Sequence, residues 1–350
     1  MSARDEMAQN IKKAGSDGYS LSVEGAGTKS FIGYVDDRLK VLKTKGYSGV
    51  LDYHPSELVV RVKSGTPVCE LSDLLQEEGQ MLAFDPPQNS SESTIGGVVS
   101  AGLSGSARPY RGAARDHLLG VGMLLHDGSY CEFGGQVMKN VAGYDVSRLV
   151  CGAYGTLGVL ADVSMKILPI PELQKTVKLE CSFVVARDIV KRLSRTASPL
   201  SATCYFEGVL NIRLSGSEHS VNSAAKLLGG EHGDFDFWSQ LDSQNLAIFQ
   251  NASDIWRLST NPDEPFFDRE FSVMDWGFSQ RWLFDPLSDP RKEYKGSGHW
   301  TRIRNDSNSF FAPVFQPLSS AAFALHRRLK SELDPKGIFN PGRMYREEGL

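Results

Sequence analysis

Glycine is spread unevenly along this 350-residue chain: 23 of its 34 glycines lie within residues 1–158 and only eight between 172 and 310. Glycine lets the backbone adopt left-handed conformations and lets other groups approach the main chain closely. The first half is therefore expected to be rich in tight loops, and the second more conventional. The densest stretch, Gly134 to Gly158 (GGQVMKNVAGYDVSRLVCGAYGTLG), ends in glycines 152, 155 and 158 at intervals of three. Side chains missing at that interval let a flat, phosphate-bearing ligand lie against backbone amides. A glycine-rich turn between two elements is the other reading, because GxxGxxG alone discriminates weakly.

Two more segments carry the same signature. Tyr19 to Glu24 alternates as a short strand and runs into Gly25, Ala26, Gly27, Thr28, Lys29 and Ser30, a small-residue loop with one cation and two hydroxyls. That chemistry suits a pyrophosphate. The loop is not the dinucleotide fingerprint, because its sixth position is Ser30 and no periodic helix follows, and it is not a P-loop, because the lysine follows Thr28 and the spacing is absent. Further on, Asp85-Pro86-Pro87, Thr94-Ile95-Gly96-Gly97 and Ala101-Gly102-Leu103-Ser104-Gly105 again remove bulk where a ligand could approach.

The composition changes at Pro169-Ile170-Pro171, which divides the chain into expected regions 1–170, 171–310 and 311–350. In the first, alternation predicts strands near 19–24, 47–53, 58–63, 118–133 (with Asp127-Gly128 as a hairpin turn) and 158–168, and a helix near 67–78 started by Pro67. Hairpins without βαβ repeats argue for an α+β fold rather than a doubly wound sheet. In the second, apolar stretches near 176–185, 203–214 and 254–259 separate helical stretches near 186–196, 217–228 and 237–248, predicting a smaller antiparallel α+β cap with helices on one face. Residues 318–333 read as an amphipathic helix stopped at Asp334-Pro335, after which 337–343 is expected to return to the first domain.

An apolar content of 41% supplies cores for two domains, and a net charge of −4 with a pI near 6.0 gives no reason to expect nucleic acid as a partner. No apolar run approaches the roughly 18–20 residues needed to cross a bilayer. The N-terminal MSARDEMAQNIKKAG reads as an amphipathic first helix rather than a signal peptide, so a cytoplasmic location is expected. Cysteines 69, 131, 151, 181 and 204 are odd in number and at least 20 residues apart. They suit reduced thiols and cannot build an iron–sulfur cluster. Seven scattered histidines without paired spacing predict no metal site.

In order along the chain, GAGTKSFIG, ELVVRVKSGTP, GQMLAFDPP, TIGG, GAARDHLLGV, FGGQVMKNVAGYDVSRLVCGAYGTLGVL and LDPKGIFNPGRMY resemble the FAD-linked oxidase family with the p-cresol methylhydroxylase (PCMH) type of FAD-binding domain. KNVAGYD and NPGRMY narrow the resemblance to the E-type, FAD-binding subunits of glycolate oxidase complexes.

The resemblance implies a two-subdomain FAD-binding domain and a cap. It places the loop from Gly25 through Ala26, Gly27, Thr28 and Lys29 on the FAD diphosphate. Thr94, Gly96 and Gly97 would lie against flavin or phosphates, with Pro86 and Pro87 holding an extended segment nearby and Gly102 and Ser104 leaving room. Arg115 and Asp116 would hold the cofactor loop or form a plain surface ion pair. Gly152, Gly155 and Thr156 would line the isoalloxazine, and the Val159 backbone would meet its pyrimidine edge. For Lys139, Asn140 and Asp145, ligand contact and, for Asp145, helix capping both stay open. Relatives that bind FAD covalently use a histidine near the diphosphate loop, but residues 25–37 and 94–116 contain none, so noncovalent FAD is expected.

Oxidation of a 2-hydroxy acid needs a cation for the carboxylate and a group for the hydroxyl. Arg213, Arg257, Trp276 and His299 are the candidates, each with a structural alternative. The HxxGDGNxH metal signature of the D-type partner is absent. The resemblance therefore implies a subunit that oxidises glycolate to glyoxylate beside a second flavoprotein and an iron–sulfur subunit, at most peripheral on the inner membrane face. An FAD electron-transfer or assembly subunit and a freestanding FAD oxidase are the alternatives. Phe310, Phe311, Phe315, Phe339 and Tyr345 offer apolar surface for a partner or for packing the domains.

Overall fold

The computed structural model describes residues 2–135, 145–266, 271–306 and 311–346. The chain divides into two compact units, the first comprising 1–104, 113–169 and 317–350, the second 105–112 and 170–316.

The first unit is built on a five-stranded antiparallel sheet in the order Val50–His54, Val59–Lys63, Val159–Lys166, Leu118–Leu124, Tyr130–Gly134. Seven of the eight residues in the central strand Val159–Lys166 are buried, because the sheet is covered on both faces. On one side, helix Val68–Glu77 contributes Val68, Leu71 and Leu75, and helix Ile95–Ala101 contributes Ile95, Val98 and Val99, to a core with Val60, Val62, Val121 and Val163. On the other, Met7, Ile11 and Ala14 of helix Ala3–Asp17 pack with Leu124, Val159 and Phe339. That helix begins in a capping box, Ser2 with Asp5, and ends at left-handed Gly18, as its sequence dictates. The hairpin between Leu118–Leu124 and Tyr130–Gly134 turns through Gly128 at φ +75°. A parallel pair, Leu21–Glu24 with Lys40–Lys43, stands apart from the main sheet.

The C-terminal tail joins this unit. Helix Ser320–Leu333 stops at Asp334, and the following loop donates and accepts along Leu21–Glu24: the Leu21 amide reaches Ile338 O (2.7 Å), and the Asn340 amide reaches Leu21 O (3.0 Å). Phe339 is thus a core residue.

The second unit is an eight-stranded antiparallel sheet in the order Glu231–His232, Leu173–Glu180, Val209–Gly216, Leu200–Phe206, Val273–Asp275, Gln280–Phe284, Asp254–Ser259, His299–Asn305. One face presents Val177, Leu210, Ile212, Leu258 and Trp300 to Ala186 and Val190 of helix Phe183–Leu193 and to Val221 of helix Glu218–Leu228. The helices are not confined to that face. Trp238 of helix Asp236–Asp242 lies on the opposite side, its indole donating to Thr176 Oγ1 (2.9 Å), and the Arg213 guanidinium sits 5.3 Å from its ring centre. An arginine alternating with apolar neighbours thereby gains a buried aromatic partner instead of solvent.

Candidate functional site

In the first unit, the Gly25–Lys29 loop leaves the end of strand Leu21–Glu24 and meets the start of helix Ile95–Ala101, and between them runs a groove. Gly25, Ala26, Gly27, Thr28, Lys29, Thr94, Gly96, Gly97 and Gly155 line it. The amides of residues 25–29 donate to no acceptor among the described residues. Lys29 is only 9% exposed, and its Nζ reaches no acceptor nearer than Thr28 Oγ1 at 3.4 Å. Burial pulls this ammonium down to about 8. Five undirected N–H groups and a buried cation with no counter-ion among the described residues offer the chemistry that an anion such as a diphosphate needs.

The walls are held close. Thr94 caps the helix by accepting from the Gly97 amide (3.2 Å), and a side chain on Gly25 would strike the same Thr94 Oγ1. A Cβ on Gly96 would lie 2.6 Å from Ser64 Cβ. Ser64 Oγ, on the groove wall, is buried with no partner among the described residues. Thr28 Oγ1 is tied to Ser93 Oγ at 3.1 Å, fixing the loop against the chain that precedes the helix. Gly27 has φ +74°, so the loop turns through a conformation that side chains disfavour.

Other expected residues lie elsewhere. Pro86, Pro87, Gly102, Ser104, Asp116 and Val159 do not line the groove. Gly102 and Gly152 serve backbone approach: a Cβ on Gly102 would come within 2.9 Å of Gly152 Cα, and the Gly152 amide donates to Val99 O. Ser104 Oγ accepts from the Ala114 amide, Asp116 from the Ala113 amide, and Val159 is core. Arg115, Gly152 and Thr156 line a second cavity with His326, Lys330 and Tyr345. There Arg115 points to Cys151 O at 3.5 Å rather than pairing with Asp116. Burial pushes the Cys151 thiol up to about 11, which leaves it inert as a nucleophile. Asp145 caps helix Val146–Val150, whereas Lys139 and Asn140 lie outside the described residues.

The groove also takes in residues that sequence reasoning did not assign to it: Glu24, Thr44, Ser64, Ser100, Tyr154, Asn340 and Arg343 among them. Asn340 ties three segments together, accepting from the Val23 amide (2.6 Å) and donating to Tyr154 O (2.7 Å). Arg343 donates to Lys29 O (3.3 Å). NPGRMY was the available signal.

In the second unit, Arg213 is bound by Ser201 Oγ (3.1 Å), and Trp276 donates its indole N–H to Gly105 O (3.0 Å) beneath the Arg108 guanidinium at 4.4 Å. Arg257 and His299 occupy neighbouring strands on one sheet face. Phe315 is buried, Phe311 is 82% exposed, and Phe310 lies outside the described residues. Among the described residues no helix is long and apolar enough to cross a membrane.

Fold and groove together define a flavin-binding protein of the FAD-linked oxidase class, a class that comparison with known proteins bears out. A family model described as "FAD binding domain" matches residues 2–134, and one described as "FAD linked oxidases, C-terminal domain" matches 316–344. Among solved structures, p-cresol methylhydroxylase with substrate bound superposes with a TM-score of 0.68 at 13% identity, over 97% of this chain and 87% of that one, which establishes the fold. Glycolate oxidase subunit GlcE of Escherichia coli (strain K12) is 39% identical over 345 residues, 97% of each chain. Glycolate oxidase subunit GlcD of Bacillus subtilis (strain 168) is 33% identical over 138 residues, 39% of this chain and 29% of that protein. The chain belongs to the glycolate oxidase GlcE subunit family, and its cofactor is FAD.

Proposed function

We propose that this chain is the FAD-binding subunit of a glycolate-oxidising complex, converting glycolate to glyoxylate and passing electrons to an iron–sulfur subunit beside a second flavoprotein. The similarity to GlcE along the whole of both chains carries this reading. The complex would be cytoplasmic, meeting the membrane only through its partners.

Bound FAD supplies the two-electron acceptor. We assign the Gly25–Lys29 amides and the Lys29 ammonium to the diphosphate, Thr94, Gly96 and Gly97 to the floor beneath it, and Asn340 and Arg343 to holding the loop in place. Within the second unit we assign the substrate carboxylate to Arg257, with His299 beside it, and give Arg213 and Trp276 supporting roles. No histidine is among the residues lining the groove, which supports noncovalent attachment. Acid precipitation is then expected to release all the yellow colour to the supernatant, and colour retained in the pellet would contradict it.

The decisive experiment is anaerobic titration with glycolate, following bleaching of this chain's flavin alone and with the partner subunits. Bleaching that needs the partners supports the complex. Full oxygen-dependent turnover by the isolated chain makes it a freestanding oxidase. Bleaching of only the partner's flavin leaves it an electron-transfer subunit.

A further inference from the structure

The second cavity of the first unit combines one cation with apolar walls. It measures about 200 Å³. Sites for cofactors and drug-sized ligands span roughly 300–1,000 Å³, so this one admits a smaller molecule. Leu149, Leu157, Leu329 and Met344 supply aliphatic wall, and Arg115 stands among them. The one hydrogen bond of the Arg115 guanidinium among the described residues is the long one to Cys151 O (3.5 Å), and no carboxylate among them pairs with it. Asp116, its neighbour in sequence, turns instead to the Ala113 amide (2.8 Å) and does not line the cavity.

The other polar groups of the lining are engaged with protein. Lys330 Nζ directs its three donors to Thr156 O (2.7 Å), Asp334 Oδ2 (2.6 Å) and Phe339 O (2.8 Å), so its charge is already matched. Thr156 Oγ1 donates to Ala153 O (2.7 Å). His326 donates from Nδ1 to Ala322 O (2.8 Å), because a carbonyl can only accept, and the Tyr345 ring stands across it at 82°. The Cys151 thiol, pushed up to about 11 by burial, stays neutral. Arg115 is therefore the single group of the cavity with a charge to offer a ligand. A guanidinium fork fits the two oxygens of a carboxylate. The second charge of a phosphate would find no cation, whereas a hydrocarbon chain gains by covering the aliphatic wall.

We propose that this cavity binds a short-chain aliphatic monocarboxylate, with its carboxylate on Arg115 and its chain against Leu149, Leu157, Leu329 and Met344. The site is separate from the groove at Gly25–Lys29, because the two share no lining residue. They share one loop. Tyr154 and Gly155 line the groove, while Gly152, Ala153 and Thr156 line the cavity. The carboxylate therefore binds alongside FAD and not in its place.

The test uses butyrate as the probe, titrated into the full-length chain with and without saturating FAD and followed by ligand-detected NMR. Wild type is expected to bind butyrate equally in both conditions. Removing the charge from either side is expected to weaken binding on the order of 10–100-fold: 1-butanol in place of butyrate, or Arg115→Gln in place of wild type. Arg115 is exposed, so that variant is expected to keep its fold, which a urea melt checks. Leu149→Trp at the partly exposed rim is expected to fill the cavity and abolish binding while FAD content stays the same. Should Leu149→Trp misfold, Arg115→Gln carries the test alone. Wild type that does not bind butyrate, 1-butanol bound as tightly as butyrate, or an affinity unchanged in Arg115→Gln overturns the assignment. Displacement of butyrate by FAD one for one overturns it as well, by placing the carboxylate in the groove.

Discussion

Replacing Lys29 with methionine is expected to lower FAD affinity about 100-fold while making the apoprotein more stable. A charge-assisted hydrogen bond to a buried anion contributes roughly 1.5–3 kcal/mol, and tenfold in affinity corresponds to about 1.4 kcal/mol. Without FAD the same ammonium is a liability, because it is nearly buried and has no counter-ion among the described residues. Its pKa falls from 10.5 in the unfolded chain to about 8 in the fold. A group depressed in this way contributes stability above its unfolded pKa and loses it as pH falls through 8, so near pH 7 the charged side chain opposes folding. The shift corresponds to a cost on the order of 2–3 kcal/mol, which methionine removes. Thermal melts of deflavinated protein should therefore place the variant above wild type at pH 7 and near it at pH 10, with calorimetry reporting the weaker FAD binding. An apoprotein destabilised at pH 7, or FAD affinity unchanged, would show that the Gly25–Lys29 loop is not the anion site.

Loops and helices with local chemical signatures were legible in the sequence. The Gly25–Lys29 loop announces itself through small residues and one cation, helices Val68–Glu77 and Ser320–Leu333 through apolar spacing, and the first hairpin through Asp127-Gly128. What escaped depends on distant partners. Helix Ile95–Ala101 hides behind Gly96 and Gly97, whose small size makes room for Ser64 and for the capping Thr94 hydroxyl, respectively, rather than for chain flexibility. Strands Gln280–Phe284 and His299–Asn305 each bury an arginine, Arg281 and Arg302. Arg281 donates into a ring of carbonyls, including Phe278 O and Pro265 O, and Arg302 is paired with Asp254 at 2.7 Å. At position 102 the missing side chain lets the Gly152 backbone come close, since a Cβ there would lie 2.9 Å from Gly152 Cα, a long-range approach that spacing alone does not reveal. Asn340 stands 317 residues from the Val23 amide that it binds, so only the NPGRMY motif, and no local pattern of spacing, marks it.

The polar face of the second sheet was equally hidden, for a different reason. Period-two alternation flags a strand whose outward residues meet water, and Asn211, Asp275 and Gln280 alternate as such residues do. Only register reveals that they line up across four strands and are buried together.

Asp334→Ala is expected to destabilise the first unit by about 3–5 kcal/mol and to strip the groove of its rear wall. Asp334 Oδ2 accepts from Lys330 Nζ at 2.6 Å, and its two oxygens also accept the Ile338 and Phe339 amides at 2.9 Å. Lys330 in turn donates to Thr156 O (2.7 Å) and Phe339 O (2.8 Å). One buried pair therefore fastens helix Ser320–Leu333, the 152–158 loop and the tail that presents Asn340. Burial already pulls the Lys330 pKa down against the pull of Asp334. Removing the carboxylate leaves an uncompensated buried ammonium, the costly way to break a buried ion pair. Lys330→Met combined with Asp334→Ala removes that charge and should recover a substantial part of the loss, although the Ile338 and Phe339 amides stay without an acceptor. Urea melts of the two variants, with FAD content measured alongside, separate these effects: the single variant should lose both stability and flavin, and the double variant should regain stability more fully than flavin. Equal stability in the two would mean that the tail is held by its apolar contacts, chiefly Ile338 and Phe339, and not by the buried pair.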